Sequence, residues 1–303
     1  MTTVNNRLKK PQALVINGVD AGGIMTARIL MGFDSRIASA PDGLEVPLSD
    51  RDTQFVRGTV VTQDWVHAIE LLTGVVGTYV FYERKSGTAV ETGFVKHTIT
   101  NPVIHRISIG CAQGRYITVS FDFECRAADP TKTIADMWTP LDSQAAPTYV
   151  PAARGGYRVQ SCTHGTGGTQ VVVNHVTDFE FNITMPLTKA CNDSDIGYTC
   201  CEAELSGLAA GGSVGFQDAA ITASVLVCQQ LAAAAKGALV LTVTQSQGAA
   251  AKAITIAGVE FDNVGSNSDA AAPFTGHTGS FTVVNDATTQ LTLAGANKIV
   301  AIA

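Results

Sequence analysis

The chain has 303 residues, of which 46% are hydrophobic and only 15% are charged. This composition excludes an intrinsically disordered protein, and the length suits two domains that each bury a core of their own. The formal net charge is −6, and lysine and arginine are scattered singly along the chain, so we expect no basic face for tight binding to a nucleic-acid backbone.

The N-terminal stretch, residues 1–10, is polar and basic and leads into the short strand-like run Leu14 to Ile16. Because this stretch lacks an apolar h-region, we expect no secretion signal. No apolar run reaches the roughly 18 residues that a membrane helix requires. We therefore expect a soluble protein that has no membrane partner.

The segment from Gly32 to Gln54 is long and rich in charge, and it contains Pro41 and Pro47. Connections between secondary-structure elements usually take about 4–6 residues, so this length predicts a functional loop. We expect the loop to be disordered in the free chain and to become ordered against a partner surface. Its charged residues are the candidate contacts: Asp34, Arg36, Asp42, Glu45, Asp50, Arg51 and Asp52.

Two segments have the residue spacing of amphipathic helices. In the first, Asp64 is placed to cap a helix that contains Trp65 and Leu72 on its apolar face. In the second, Asp218 precedes a longer segment that Gly237 closes. Each half of the chain is therefore predicted to contain one helix.

Alternation of apolar and polar residues is the dominant pattern in the chain. From Tyr116 to Cys125 the odd positions are apolar and the even positions polar, and Thr177 to Met185 repeats the pattern. In the first of these strands, Asp122 and Glu124 fall on the face opposite the predicted core. Shorter runs predict further strands at Tyr79–Tyr82, Val103–Ile109, Leu239–Thr244, Ile254–Val259, Ser280–Val284 and Gln290–Leu293. The fold class is therefore mainly β.

The segment from Ala127 to Gly156 is the best candidate for a linker, because it contains several prolines and ends in two glycines. Trp138 lies inside this segment, so we expect it to pack along a surface. The predicted domains are residues 1–150, which include the linker, and residues 151–303.

Motifs that would carry chemistry are weak in this sequence. Gly211 to Gly215 matches the nucleophile elbow of serine hydrolases, but that elbow belongs to a parallel α/β sheet, so we interpret the match as a flexible turn. The six histidines are dispersed, and the seven cysteines, an odd number, include no C-x-x-C pair. We therefore expect no catalytic residue, no metal and no cofactor, and cysteines that are reduced and mostly buried.

The two halves of the chain follow the same order of predicted elements, which indicates an internal repeat. The matched runs are Ala27–Met31 with Phe179–Ile183, Gly77–Tyr82 with Gly237–Thr244, Lys96–Val103 with Lys252–Val259, and Gly114–Phe121 with Gly276–Val283. The last three pairs lie about 160 residues apart, as a tandem duplication implies.

This order of strands, long polar loop and helix resembles the tail tube proteins of long-tailed bacteriophages. The resemblance implies two tandem tail-tube-like β-sandwich or β-barrel domains, each with one α-helix. It also implies a virion structural protein rather than an enzyme. Three such fused chains would form a pseudo-hexameric ring, and stacked rings would form a tail tube.

The resemblance also implies partners and a location. The chain would bind copies of itself and other tail proteins, and viral DNA would pass through the lumen without specific binding. The Gly32 to Gln54 loop would reach an adjacent ring, and Asp122 and Glu124 would line the lumen or a subunit interface. The protein would be assembled in the host cytoplasm and would reside in the virion tail.

Two alternatives stay open at this point. A distal tail or baseplate hub protein with the same fold would form one terminal ring instead of a tube. A secreted carbohydrate-binding or hydrolytic β protein is disfavoured, because the two tryptophans, Trp65 and Trp138, are not placed to form a sugar-binding platform.

Overall fold

The computed structural model of the chain is mainly β, as the sequence predicts. It describes residues 9–16, 18–22, 24–38, 48–72, 78–85, 93–127, 133–147, 156–165, 171–190, 202–217, 236–245, 251–267, 276–285, 290–293 and 297–303.

The helices are α1 (Trp65–Leu72) and α2 (Ile134–Met137). The strands of the first half are β1 (Lys9–Ile16), β2 (Val19–Gly22), β3 (Ile24–Ala38), β4 (Leu48–Thr62), β5 (Thr78–Lys85), β6 (Phe94–Thr100), β7 (Pro102–Ala112), β8 (Thr118–Cys125) and β9 (Trp138–Gln144). Those of the second half are β10 (Tyr157–Gly165), β11 (Val171–Asn174), β12 (Val176–Thr184), β13 (Leu187–Ala190), β14 (Glu202–Leu205), β15 (Ala209–Phe216), β16 (Gly237–Gln245), β17 (Lys252–Asn267), β18 (Gly276–Val283) and β19 (Val300–Ile302).

The strands with the clearest alternation form as predicted. In β8 the odd residues are buried and the even ones half-buried, and β12 buries Phe179, Phe181 and Ile183 on one face. The run Gln290 to Leu293 does not form a strand and contributes only a bridge between Thr292 and Lys298. Its hydrogen bonds join Leu291 to the Asn285 side chain and Thr292 to Asn297 and Ile299 rather than to a strand, so this prediction is wrong.

The first predicted helix is confirmed as α1. The backbone N–H of Ala68 donates to the carbonyl of Asp64 at 3.2 Å, so the helix begins directly after Asp64. Trp65, Ala68 and Ile69 are buried in the core. The second predicted helix, which follows Asp218, lies outside the described residues.

The predicted linker contains regular structure. At α2 the backbone N–H of Thr133 donates to the Asp136 carboxylate at 2.9 Å, and β9 then pairs with β6 at the edge of a sheet. Pro140 fits there because an edge strand pairs on one side only. The segment therefore packs along the protein, and residues 148–155, which include the predicted domain boundary, lie outside the described residues.

The strands form a small sheet and a large sheet that share one hydrophobic core. The small sheet has the order β2-β1-β5-β6-β9. The large sheet runs β11-β10-β16-β17-β18-β15-β12-β7-β8-β4-β3, and β19 pairs with β17. β13 and β14 form a separate hairpin.

The strand order of the first half recurs in the second half. The order β3-β4-β8-β7 corresponds to β12-β15-β18-β17, and β2-β1-β5-β6-β9 corresponds to β11-β10-β16-β17-β19. β17 therefore corresponds to β6 and β7 together. Positive φ angles mark the same bend in both halves, at Asn101 (φ 50°) between β6 and β7 and at Gly258 (φ 65°) within β17.

The irregularities of the strands recur as well. A β-bulge inserts one extra residue into a ladder and is a specific feature, so bulges at matching places indicate a common structure. Two residues are termed equivalent here when they occupy the same position in the two sets of ladders. Equivalent bulges occur at Gln12 and Gln160, at Met25 and Thr177, and at His105 and Asp262.

These ladders test the sequence matches between the halves. Ala27 to Met31 is equivalent to Phe179 to Ile183, as the sequence predicts. The match of β8 with β18 is shifted by four residues, because the sequence match places Val119 with Phe281, whereas the ladders make Phe123 equivalent to Phe281. A slip by an even number of residues keeps every side chain on its face, so alternation alone could not fix this register.

Candidate assembly surface

The large sheet has one face away from the core, and this face is polar. Its ladders place Arg28, Thr59, Asp122 and Arg106 opposite one another on β3, β4, β8 and β7. All four side chains are exposed or half-buried. Adjacent strands lie about 4.8 Å apart, so such a row spans about 14 Å of continuous surface.

Asp122 and Glu124 lie on this polar face. The Thr59 hydroxyl donates to Asp122 Oδ1 at 2.6 Å, and Lys189 Nζ lies 2.5 Å from Glu124 Oε1. Both carboxylates therefore have partners within the chain. A role in lining a lumen or a subunit interface stays a prediction.

The charged segment Gly32 to Gln54 is in large part a β-hairpin, not a loop. Asp34 and Arg36 belong to β3, and Asp50, Arg51 and Asp52 belong to β4. The ladder of the two strands extends to the pair Ala38 and Leu48. The prediction of a loop is wrong for these arms, because backbone pairing forms a strand even where the sequence lacks the alternation that a buried face imposes. Asp42 and Glu45 lie outside the described residues, and an inter-ring role stays a prediction.

Two edges of the large sheet lack a partner strand among the residues that the structure describes. β3 pairs only with β4, and residues 260–267 of β17 pair only with β18. Their equivalents, β12 and β7, pair with each other inside the chain, from Asp178 opposite Ala112 to Thr184 opposite Arg106. This pairing of β7 with β12 connects the two halves of the chain and is named here the internal joint. The two unpaired edges are the equivalents of its two strands, so they would form a second joint of the same kind if they paired.

The unpaired β3 edge exposes large apolar side chains. Met25, Leu30 and Met31 are 51%, 42% and 46% exposed. Ile183, the equivalent of Met31, is only 1% exposed because it lies opposite Ile107 in the internal joint. The exposure of Met31 therefore follows from the position of β3 at an edge with no second partner strand among the described residues.

The internal joint continues beyond its strand ladder. The backbone N–H of Gln113 donates to the Thr177 carbonyl at 2.5 Å, and that of Ile117 donates to the Tyr157 carbonyl at 2.8 Å. The Trp65 ring in α1 meets the Tyr157 ring edge to face at 5.3 Å. The joint thus combines backbone pairing with aromatic packing.

The Gly-Gly-Ser-Val-Gly run lies within β15, so its interpretation as a flexible turn is wrong. A Cβ on Gly212 would collide with the Glu180 carbonyl oxygen on β12. A Cβ on the equivalent Gly58 would lie 2.6 Å from the Arg28 carbonyl oxygen on β3. These glycines allow close approach of neighbouring strands, and the run has a packing role rather than the geometry of a nucleophile elbow.

Two of the cavities formed by the described residues open on the first half. One of about 350 Å³ lies on the polar face and is lined by Arg28, Arg57, His105 and Asp122, among others. The other, of about 560 Å³, lies between β3 and the small sheet.

A hydrogen-bonded histidine lines the larger cavity. Trp138 Nε1–H donates to His97 Nδ1 at 3.1 Å, so the other ring nitrogen, Nε2, carries the proton and donates to Glu83 at 3.1 Å. The imidazole also stacks on Phe81, with ring centroids 4.5 Å apart. In the second half the equivalents of Glu83 and His97 are the apolar Val243 and Ile254.

The described cysteines are free and shielded. Burial, together with the nearby Asp178 carboxylate, raises the pKa of the Cys111 thiol to about 11. Burial raises the pKa of Cys162 to about 12, and burial with the adjacent Glu124 raises that of Cys125 above the usual range. These thiols are poor nucleophiles because the thiolate is the reactive form. The other four cysteines lie outside the described residues.

Comparison of the sequence with models of known protein families and with curated proteins finds no match. Among the described residues, no helix is long and apolar enough to cross a membrane. The same part of the chain holds no group of three or more histidine, cysteine, aspartate or glutamate side chains arranged to bind a metal ion.

Proposed function

We propose that this chain is a structural subunit of a phage tail tube. Its two halves, residues 1–150 and 151–303, are tandem tube domains, and three chains form a pseudo-hexameric ring. Stacked rings conduct viral DNA, with other tail proteins at the ends of the tube, and the subunit performs no catalysis.

The observation that carries the proposal is the pair of unpaired edges, on β3 and on residues 260–267 of β17. Their equivalents already pair inside the chain, so the internal joint supplies a template for a joint between two copies. When the internal register is transferred, Met31 of one copy lies opposite Val264 of the next, and Leu30 lies opposite Gly265. This placement covers two of the exposed apolar side chains of β3.

The two edges differ from each other, so the joint is head to tail. A head-to-tail interface generates a closed ring when the rotation per subunit closes on itself. Closure pairs the β3 edge of each chain with the β17 edge of the next, which removes the templates for aggregation that these open edges present. A ring in which each chain spans two domains reaches six domains with three chains.

Native mass spectrometry of the assembled protein tests the proposal, together with negative-stain images of the same sample. We expect masses that are multiples of three chains, and images of stacked rings. Single rings that never stack would indicate the terminal hub protein instead. A ring of six chains, or a stable monomer at high concentration, would contradict the proposal.

A further inference from the structure

The polar face of the large sheet has opposite charge in the two halves of the chain. Arg28 is equivalent to Glu180, and His105 at its bulge is equivalent to Asp262 at the matching bulge. Two further arginines of the first half have neutral equivalents: Arg57 corresponds to Gly211, and Arg106 corresponds to Asn263. Four equivalent positions thus hold basic residues in one half and acidic or neutral residues in the other.

The four first-half residues, Arg28, Arg57, His105 and Arg106, are named here the basic patch. Arg28, Arg57 and Arg106 are exposed, and the 350 Å³ cavity lies between Arg28, Arg57 and His105. The Arg57 guanidinium lies 4.2 Å above the centre of the Phe55 ring, a contact that orients the side chain.

The carboxylates on the same face do not cancel this charge. Glu124 pairs with Lys189, and Asp122, which accepts the neutral Thr59 hydroxyl and keeps its negative charge, is outnumbered by the three arginines. Among the described residues, no carboxylate forms an ion pair with Arg28, Arg57 or Arg106. The positive charge of the basic patch is therefore available to a ligand.

We propose that the basic patch binds the phosphates of a nucleic-acid backbone and that the equivalent surface of the second half, with Glu180 and Asp262, repels them. Guanidinium groups bind phosphate through paired N–H donors. Contacts to phosphates carry no sequence information, so binding through the patch is independent of sequence. The ladders of β3, β4, β8 and β7 gather arginines that are scattered along the sequence, and the order of residues alone does not indicate this gathering.

The position of the patch in a lumen depends on the proposed function, whereas its affinity for phosphate does not. In a ring of three chains, three attractive sectors would alternate with three repulsive ones around the DNA. Such alternation would centre a duplex without holding it, because each attractive sector has few phosphate contacts and the neighbouring sectors oppose binding.

Fluorescence anisotropy with a short labelled DNA duplex and the full-length free subunit tests the proposal. Each phosphate contact contributes about −0.9 to the slope of log K against log salt, so three arginines predict a slope of about −3. The double variant Arg28→Gln/Arg57→Gln should reduce the magnitude of this slope by about 2. Glu180→Arg should strengthen binding, because it places a cation at the equivalent of Arg28.

The matched control is Arg84→Gln/Arg126→Gln, which removes two exposed arginines outside the patch. Equal weakening by the control and the patch variant would overturn the proposal, since binding would then follow net charge alone. Unchanged DNA binding with loss of rings in the patch variant would also overturn it, because the patch would then bind a second copy of the chain.

Native mass spectrometry of the same variants separates this proposal from the proposed function. DNA binding by the patch in a protein that forms no rings would support this inference and contradict the tube. Rings that form normally from a wild-type subunit that does not bind DNA would support the tube and overturn this inference. Matching thermal melting curves would establish that all variants are folded.

Discussion

The thiol of Cys111 illustrates how burial controls reactivity at a single residue. Its pKa of about 11, and that of about 12 for Cys162, leave almost no thiolate near neutral pH. We expect iodoacetamide at about pH 8 to leave Cys111, Cys125 and Cys162 unmodified in the native protein and to modify all three in denaturant. Peptide mass spectrometry reports each site separately, and rapid native labelling of Cys162 would contradict its burial.

The same shift makes stability depend on pH. The unfolded Cys111 thiol ionises near its ordinary value of 9.0, whereas the folded thiol keeps its proton up to about pH 11. The unfolded state therefore binds fewer protons between these values, and the free energy of unfolding falls as the pH rises through this window. We expect the free energy of unfolding of Cys111→Ser to fall less steeply than that of the wild type between about pH 9 and 11. Urea unfolding at a series of pH values measures this dependence.

We expect the His97 side chain to stabilise the fold only while Glu83 and Trp138 are present as its hydrogen-bond partners. We expect His97→Ile to cost about 1–3 kcal/mol, because Glu83 and Trp138 each lose a hydrogen bond beside a cavity. The double variant Glu83→Val/His97→Ile copies the second half and should cost less than the single variant. Urea unfolding measures both, and a double variant that loses more than His97→Ile would contradict this account.

At the scale of elements, two glycines determine how closely strands approach. Gly58→Ala and Gly212→Ala would each place a Cβ against a backbone carbonyl oxygen of the neighbouring strand, and backbone moves less readily than a side chain. We expect each to cost more than about 2 kcal/mol. Gly110→Ala is the matched control, since its Cβ would lie 3.5 Å from the nearest atom, and its effect should stay within about 0.5 kcal/mol. Equal losses for Gly110→Ala and Gly212→Ala in thermal melts would contradict the packing role.

Strands that bury one face on the core could be predicted from the sequence. Strands that are held mainly by backbone pairing could not. β8 and β12 have a clear alternation because one face of each lies on the core. The sequence predicts a loop for the arms of the β3–β4 hairpin and a linker for β9. Both are held by backbone pairing, which leaves little trace in residue type. β15 was missed because its glycines are characteristic of turns, although here they permit close packing.

At the scale of the whole molecule, the β3 edge should determine assembly. We expect Met31→Lys to leave the subunit folded, because Met31 is 46% exposed, and to prevent ring formation, because a charge on an edge strand blocks pairing. Val172→Lys is the control, as Val172 is 51% exposed on β11 at the far end of the sheet. Size-exclusion chromatography with light scattering distinguishes the outcomes, and rings of Met31→Lys would contradict the proposed joint.

The candidate surface could be predicted only in part. Asp122 and Glu124 were placed on the polar face because alternation fixes which face a residue occupies. The basic patch and the unpaired edges depend on which strands are neighbours, and that follows from pairings between segments far apart in the chain. β7 pairs with β12 across the boundary between the halves, and no local pattern records that pairing.

The joint between β7 and β12 has a consequence for assembly, because it forms between two halves of one polypeptide. A tethered pair meets at an effective concentration of about millimolar, far above that of separate proteins in a dilute solution. In a ring of three chains, half of the domain contacts would then form during folding and would need no encounter. Ring formation would depend on the third power of subunit concentration rather than the sixth, so rings of this chain should persist at dilutions at which rings of six separate domains fall apart.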